Sequence, residues 1–236
     1  EKAFQAARRV AALGSSSFIN QMGVLVLQIA INNTVTYYGA LSIYGEDIPL
    51  TCMGIVMKVN QVIIALLIGI AGGAQPISGF NYGARQYGRV KKTYLMAVAA
   101  ATAVATMGFV IFHFFPQYIV ALFGKGNELY ESFAVLAFRT VLLLLAFGGV
   151  QIVSANFFQS IGKPMRAMML TASRQLLFFL PAVLILPRFY GILGALWAFP
   201  ISDGLAFLLA AGLIWHEMRI LTRMEAEEKR GKEENK

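Results

Sequence analysis

Six apolar stretches, roughly 17–44, 48–80, 93–115, 130–160, 165–187 and 193–215, each supply the about 20 residues that a helix needs to cross a bilayer. Together they take up most of the 236 residues. With 58% of residues hydrophobic and 14% charged, the chain departs from a soluble domain, which is about 45–50% apolar and about 25% charged. The predicted fold is therefore an all-α integral membrane protein, a bundle of six transmembrane helices over residues 1–216. The first, second and fourth stretches exceed a minimal span and contain glycines and polar residues, so tilts or kinks are expected there. Turn compositions separate the spans at Gly45-Glu46-Asp47-Ile48-Pro49, Gly124-Lys125-Gly126-Asn127, Gly162-Lys163-Pro164 and Pro187-Arg188-Phe189-Tyr190-Gly191.

The net charge of +8 reads as an orientation signal rather than as a nucleic-acid footprint. With six spans, one face collects Lys2, Arg8, Arg9, Arg85, Arg89, Lys91, Lys92, Lys163, Arg166 and the six cations of the tail. The opposite face holds only Lys125 and Arg188. Positive residues mark the cytoplasmic side, so both termini are expected there. Residues 217–236 balance six glutamates against six cations and are expected to form a charged, solvated helix extension that frays. No nucleic-acid partner is expected; the partner of the spans is the lipid bilayer.

Enzyme chemistry finds little to work with. Cys52 stands alone, which excludes a disulfide framework and a zinc site of paired cysteines, and His113 and His216 lie far apart in sequence. No Ser/His/Asp set, phosphate loop or metal-ligand spacing is present, so the chain is not expected to be an enzyme or to carry a cofactor or metal.

Polar side chains within spans are costly and mark cavities or helix contacts. Gln21, Gln28 and Asn32 recur at i, i+7 and i+11 on one stripe of the first helix. They would either bond between helices or wall a water-accessible substrate cavity. Lys58, with Asn60 and Gln61, lies in the second span, and Lys58 and Arg139 each sit about ten residues from the outer end of a span. Both can snorkel or face a wet interior. Gln151 begins a polar series, with Ser154, Asn156 and Gln159, in the fourth span. Asp203, three residues after Pro200, is the one carboxylate inside a confidently apolar stretch. It is a candidate for coupling, for a structural hydrogen bond, or for a pair with Arg174.

The segment Gly73-Ala74-Gln75-Pro76-Ile77-Ser78-Gly79-Phe80-Asn81-Tyr82-Gly83-Ala84-Arg85, continuing through Lys91-Lys92, resembles the signature of the multidrug and toxic compound extrusion (MATE) family. Gly149-Val150-Gln151 through Lys163-Pro164, and Ser173-Arg174-Gln175 through Ser202-Asp203, agree with it. The resemblance implies helices seven to twelve of a twelve-helix, two-lobed transporter, so the chain is expected to be the C-terminal half. It further implies export of organic cations or amphipathic toxins by H⁺ or Na⁺ antiport with alternating access, in a bacterial or archaeal plasma membrane. The partners implied are drug-like small molecules and the N-terminal lobe or a second copy. Sodium-coupled members of one branch carry a glutamate in the first helix and an aspartate before the Val-Gln pair. Here Leu13 to Tyr44 hold no acid and the aspartate position falls on Gly148 or Gly149, so the coupling ion is expected mainly in the absent lobe.

The cavity expected from these readings is lined by Gln21, Gln28, Asn32, Lys58, Gln61 and Gln151, with Asp203, Arg139 and Arg174 as coupling or structural polar groups. Alternatives are a half-size transporter that dimerises, an inactive truncated remnant, or a lipid-linked saccharide flippase. The last would need a cationic cavity built from Lys58, Arg139 and Arg174.

Overall fold

The computed structural model describes residues 2–124 and 126–234, with side-chain surroundings for 21–124 and 126–231. Lys2, Arg8, Arg9, Lys125, Lys232 and Lys236, which enter the charge count above, lie outside the described side chains. The elements are α1 (Lys2–Ala40), α2 (Asp47–Gly83), α3 (Tyr87–Phe114), α4 (Pro116–Phe123), α5 (Glu128–Val141), α6 (Leu145–Ser160), α7 (Pro164–Ala172), a π-helical segment (Ser173–Phe179), α8 (Leu180–Tyr190) and α9 (Ile192–Glu234). No strand occurs among the described residues.

The expected spans correspond to α1, α2, α3, the pair α5 and α6, the run α7 to α8, and α9. Among the described residues, α2, α3, the α7–α8 run and α9 are long and apolar enough to cross a membrane, and α5 with α6, bent by 45° at their junction, pass the same test only when taken together. The fourth span is thus broken at Leu142–Leu144 rather than merely kinked. The fifth is interrupted by the π-helical segment, and α4, with Pro116 at its start, is an extra short helix that the hydropathy pattern does not show. Each of the four expected separators contains a glycine with positive φ: Gly45 (71°), Gly124 (139°), Gly162 (75°) and Gly191 (60°). Side chains with a Cβ rarely adopt that backbone, so these glycines set where the chain reverses.

Packing centres on α2, α3 and α6. Ala97, Ala101, Ala105 and Gly108 of α3 follow one another at spacings of four, four and three, and all are buried. Small side chains on one line let neighbouring backbones approach, and in hydrocarbon such van der Waals contact replaces the hydrophobic drive. A Cβ added to Gly149 of α6 would lie 3.1 Å from the Ala101 carbonyl oxygen, and one on Gly108 would lie 3.0 Å from Ile63 of α2. Gly69 and Gly73, the GxxxG pair of α2, are exposed with open space beside them, so they join no contact within the described chain.

The division expected at 216/217 falls inside α9, whose helix runs on to Glu234. The turns just beyond it are packed: Glu217 and Leu221 have no exposed surface. Glu217 is bonded by Lys163 at 2.5 Å and by Arg166, and Lys91 pairs with Glu225 at 2.7 Å. Only part of the extension therefore behaves as a solvated run.

Candidate functional site

Two cavities meet near the middle of the bundle. The larger, about 220 Å³, lies between α1, α2, the π-helical segment and α9, and its polar lining is Gln28, Asn60, Gln61, Arg174, Gln175 and Ser202. The smaller, about 40 Å³, is bounded by α2, α6, the π segment and α9 and contains Gln151 and Asp203. Asn60, Ile64, Arg174 and Phe199 line both, so they form the partition. Asp203 stands eleven residues into α9, which at 1.5 Å per residue is about 16 Å, half of a hydrocarbon core about 30 Å thick.

Oδ1 of Asp203 accepts a hydrogen bond from Nε of Arg174 at 2.8 Å and lies 2.8 Å from Nη2 in the same ion pair. The Arg174 side chain is 36% exposed and that of Asp203 15%, so the pair is bonded within the chain yet reachable from the cavity. The π-helical turn helps to place it. Its i to i+5 spacing puts Arg174 and Phe179, five residues apart, on the cavity side, and π-bulges recur where a helix is widened for function. Gln151 is buried and donates to the Leu170 carbonyl at 3.3 Å, in the turn leading into the π segment, so it braces that turn from α6. Across the partition, Oδ1 of Asn60 is buried and has no hydrogen-bond partner. An unmet buried acceptor costs about 1–3 kcal/mol, and this one belongs to a residue that lines both cavities.

The expected site residues divide clearly. Gln28 and Gln61 line the larger cavity at its exposed edge, and Gln151, Arg174 and Asp203 gather around the smaller one. Gln21, Asn32 and Lys58 do not line either. Asn32 accepts from Gln28 at 3.0 Å on the exposed side of α1, because the inward stripe of that helix is Leu27, Ile31 and Val35. Lys58 is exposed, being two residues, or about 200°, away from the inward-facing Asn60. Arg139 is also removed from the cavity. Its Nε donates to the His113 carbonyl at 3.1 Å and thereby satisfies one of the open carbonyls at the end of α3.

Asn60, Gln175 and Ser202 are lining residues that the polar pattern did not single out as a site. Asn60 was within reach: Val56, Asn60, Ile63, Leu67 and Ala71 keep one inward stripe at helical spacing, and Asn60 is its polar member.

The family model MatE matches residues 17–184, more than two thirds of the chain. The chain belongs to the MatE family. This MatE chain is 24% identical over 148 residues to a protein named FAD transporter from Shewanella oneidensis, covering 62% of this chain and 32% of that protein. Among solved structures, a MATE protein in the bent conformation shares the fold with a TM-score of 0.77 at 17% identity, over 88% of this chain and 44% of the other. An inward-facing multidrug resistance MATE family transporter of the MOP superfamily gives 0.75 at 18% identity, over 88% and 46%. The MatE chain thus spans less than half the length of these proteins, and its fold is that of a multi-pass membrane transporter.

Proposed function

We propose that this chain forms one lobe of a secondary active exporter that works by alternating access, driven by H⁺ or Na⁺. The carrying observation is the cavity walled by amides and by Arg174, which is paired with Asp203 and stands in a π-helical turn. At about 220 Å³ it is smaller than the roughly 300–1,000 Å³ of a drug-sized pocket. A complete site therefore needs a second wall, supplied by the N-terminal lobe of the same transporter or by a second copy. The exposed Gln21, Gln28, Asn32 and Gln61 present amides toward that missing wall.

The one cation of the cavity lining, Arg174, is paired with Asp203 of the adjoining smaller cavity, so the lining offers hydrogen bonds and apolar surface with its charge largely offset from behind. That chemistry suits amphipathic compounds and weakly charged organic cations, with the aromatic rings of Phe179 and Phe199 available to a cation. It argues against a lipid-linked saccharide flippase, since Lys58 and Arg139 do not contribute to the lining. No cofactor is proposed, and the coupling ion is placed mainly in the other lobe. We place the protein in a bacterial or archaeal plasma membrane with both termini cytoplasmic.

A second reading, export of a flavin dinucleotide, is favoured by the relative named FAD transporter. The two are separated in vesicles containing the assembled transporter, by following efflux of a cationic dye and of FAD under an imposed proton or sodium gradient. Dye efflux that responds to the gradient, and protection of Gln61→Cys from a water-soluble thiol reagent by the dye, are expected. FAD efflux without dye efflux would replace the first reading with the second. Failure of either gradient to drive any substrate would remove the antiport mechanism.

A further inference from the structure

A second and larger concavity lies away from the mid-membrane site. It is an open groove of about 790 Å³ between α3, α6 and the cytoplasmic half of α9, and nothing in the transport cycle proposed above uses it. Its lining changes along its length. Val150, Phe207 and Ile214 form an apolar part, Trp215 follows, and Arg219 and Arg223 close the far end. Counted from Asp203 at mid-membrane, Trp215 and Arg219 stand twelve and sixteen residues along α9, about 18 and 24 Å, at the headgroup level of one leaflet, with Arg223 one turn beyond.

The two arginines are free to take an anion. Neither is paired with a carboxylate among the described residues; the nearest acids in sequence that the packing engages are already held, Glu217 by Lys163 and Arg166 and Glu225 by Lys91 at 2.7 Å and Lys229 at 2.9 Å. Arg219 lies with its guanidinium 5.1 Å from the centre of the Trp215 ring, one turn back toward the apolar end. That posture brings the charge down to the headgroup level while Trp215, 64% exposed, occupies the interface that indoles favour.

We propose that this groove binds one anionic phospholipid of the basic, cytoplasmic face, with an acyl chain along Phe207 and Ile214 and the phosphate on Arg219 and Arg223. The observations that carry the choice of occupant are the gradient from apolar to cationic lining and the position of Trp215 and Arg219 at the headgroup level. The site is independent of which solute the transporter exports, so it stands or falls separately from that reading.

The test uses the two tryptophans. With Trp197→Phe, Trp215 is the sole fluorophore, and the full chain is reconstituted in phosphatidylcholine bilayers containing a small fraction of brominated phosphatidylglycerol or brominated phosphatidylcholine. Quenching by the anionic lipid is expected to be roughly threefold stronger or more at equal mole fraction, since each cation near the surface favours anionic lipid. Arg219→Gln with Arg223→Gln should bring the two lipids level while the helical circular dichroism is kept. Equal quenching by both lipids in the parent chain would overturn the proposal, as would a preference unchanged by the double substitution. Loss of the preference when millimolar inorganic phosphate is added would show a site for free anions instead. Absence of quenching by either lipid would show that protein, not lipid, covers the groove.

Discussion

Two carboxylates, Asp203 and Glu217, project from α9 fourteen residues apart, and each has an arginine as partner, yet they sit in opposite surroundings. Asp203 meets Arg174 near mid-membrane, beside an unmet asparagine oxygen and a π-helical turn, and the arginine remains 36% exposed to the cavity. Glu217 has no exposed surface and is bonded by both Lys163 and Arg166, with Arg166 also 5.7 Å from the centre of the Phe158 ring. The first arrangement leaves polar valence open within a widened helix. The second closes every valence it can and ties α9 to the start of α7. A membrane protein that must change shape needs both kinds of charge pair: one that can be addressed by a ligand, and one that holds the end of a helix while the rest moves.

The contrast is broken most forcefully at Glu217. Glu217→Ala leaves two cations without their carboxylate, and the about 3–5 kcal/mol of breaking a buried pair is an upper bound here because each cation is 28% exposed. A large fall in the thermal unfolding midpoint of the purified chain is expected, with Glu217→Gln intermediate because it retains an acceptor. If Glu217→Ala melts with the parent, the clasp does not hold the fold.

At the mid-membrane pair the expected stability loss is smaller and the functional loss larger. Asp203→Asn keeps the shape and an acceptor oxygen but removes the negative charge, which costs less than the about 1.5–3 kcal/mol of a whole charge-assisted bond, and the cavity allows Arg174 to find water. Arg174→Gln should cost similarly. The double variant should lose less than the sum of the two, with a coupling of about 0.5–3 kcal/mol in a thermal-melt cycle. Transport should fall more than stability in all three. A pair that behaved as Glu217 does, with stability lost and residual transport per folded molecule unchanged, would make Asp203 structural only.

The comparison also shows what could be read in the residues themselves. The apolar runs, the glycine turns and the link between Arg174 and Asp203 were legible because each rests on local sequence: hydropathy, a positive φ, and the two opposite charges in neighbouring spans. Glu217 was not, because it opens a segment whose composition is that of solvated helix. Only the folded chain shows that Lys163 and Arg166, more than fifty residues earlier, turn back onto it. The π-helical segment was equally hidden, since Ser-Arg-Gln-Leu-Leu-Phe-Phe fits an α-helix as well and the extra residue is accommodated by packing, with Gln151 reaching Leu170. Lys58 shows the limit of depth arguments, and Asn32 that of a polar stripe, which marks a face of a helix without saying that the face turns inward. Hydropathy places a residue along a span but not around it, and the inward stripes of α1 and α2 pass beside them.

Asn60 gives a finer probe of the same distinction. Its Oδ1 lacks a partner, so Asn60→Leu removes a desolvated acceptor at near-constant volume and should leave stability level or raise it by about 1 kcal/mol, while lowering transport. An increase in stability with loss of efflux would mark the partition as a ligand-facing surface. A marked loss of stability would instead show that the asparagine is a structural bond.

The smallest effect belongs to the outer end of α9 and depends on pH. Hydrogen bonds from Lys91, and then from Lys229, hold the Glu225 carboxyl below the ordinary 4.5. A carboxylate whose folded value is depressed contributes stability above its unfolded value and loses it as the pH falls through the folded one. The link between α9 and the start of α3 is therefore intact at neutral pH and weakens only in acid below about 4.5. Because these side chains are partly exposed, the contribution is screened by salt and is worth little beside the Glu217 clasp. Protection of the amides beyond Leu221 from hydrogen exchange should decrease modestly in Lys91→Met at neutral pH and low ionic strength, and the difference from the parent should shrink both in high salt and in acid. Equal protection in the two chains at low salt would mean that Leu221 and the Glu217 clasp hold the extension, and the cation of α3 would then have no part in it.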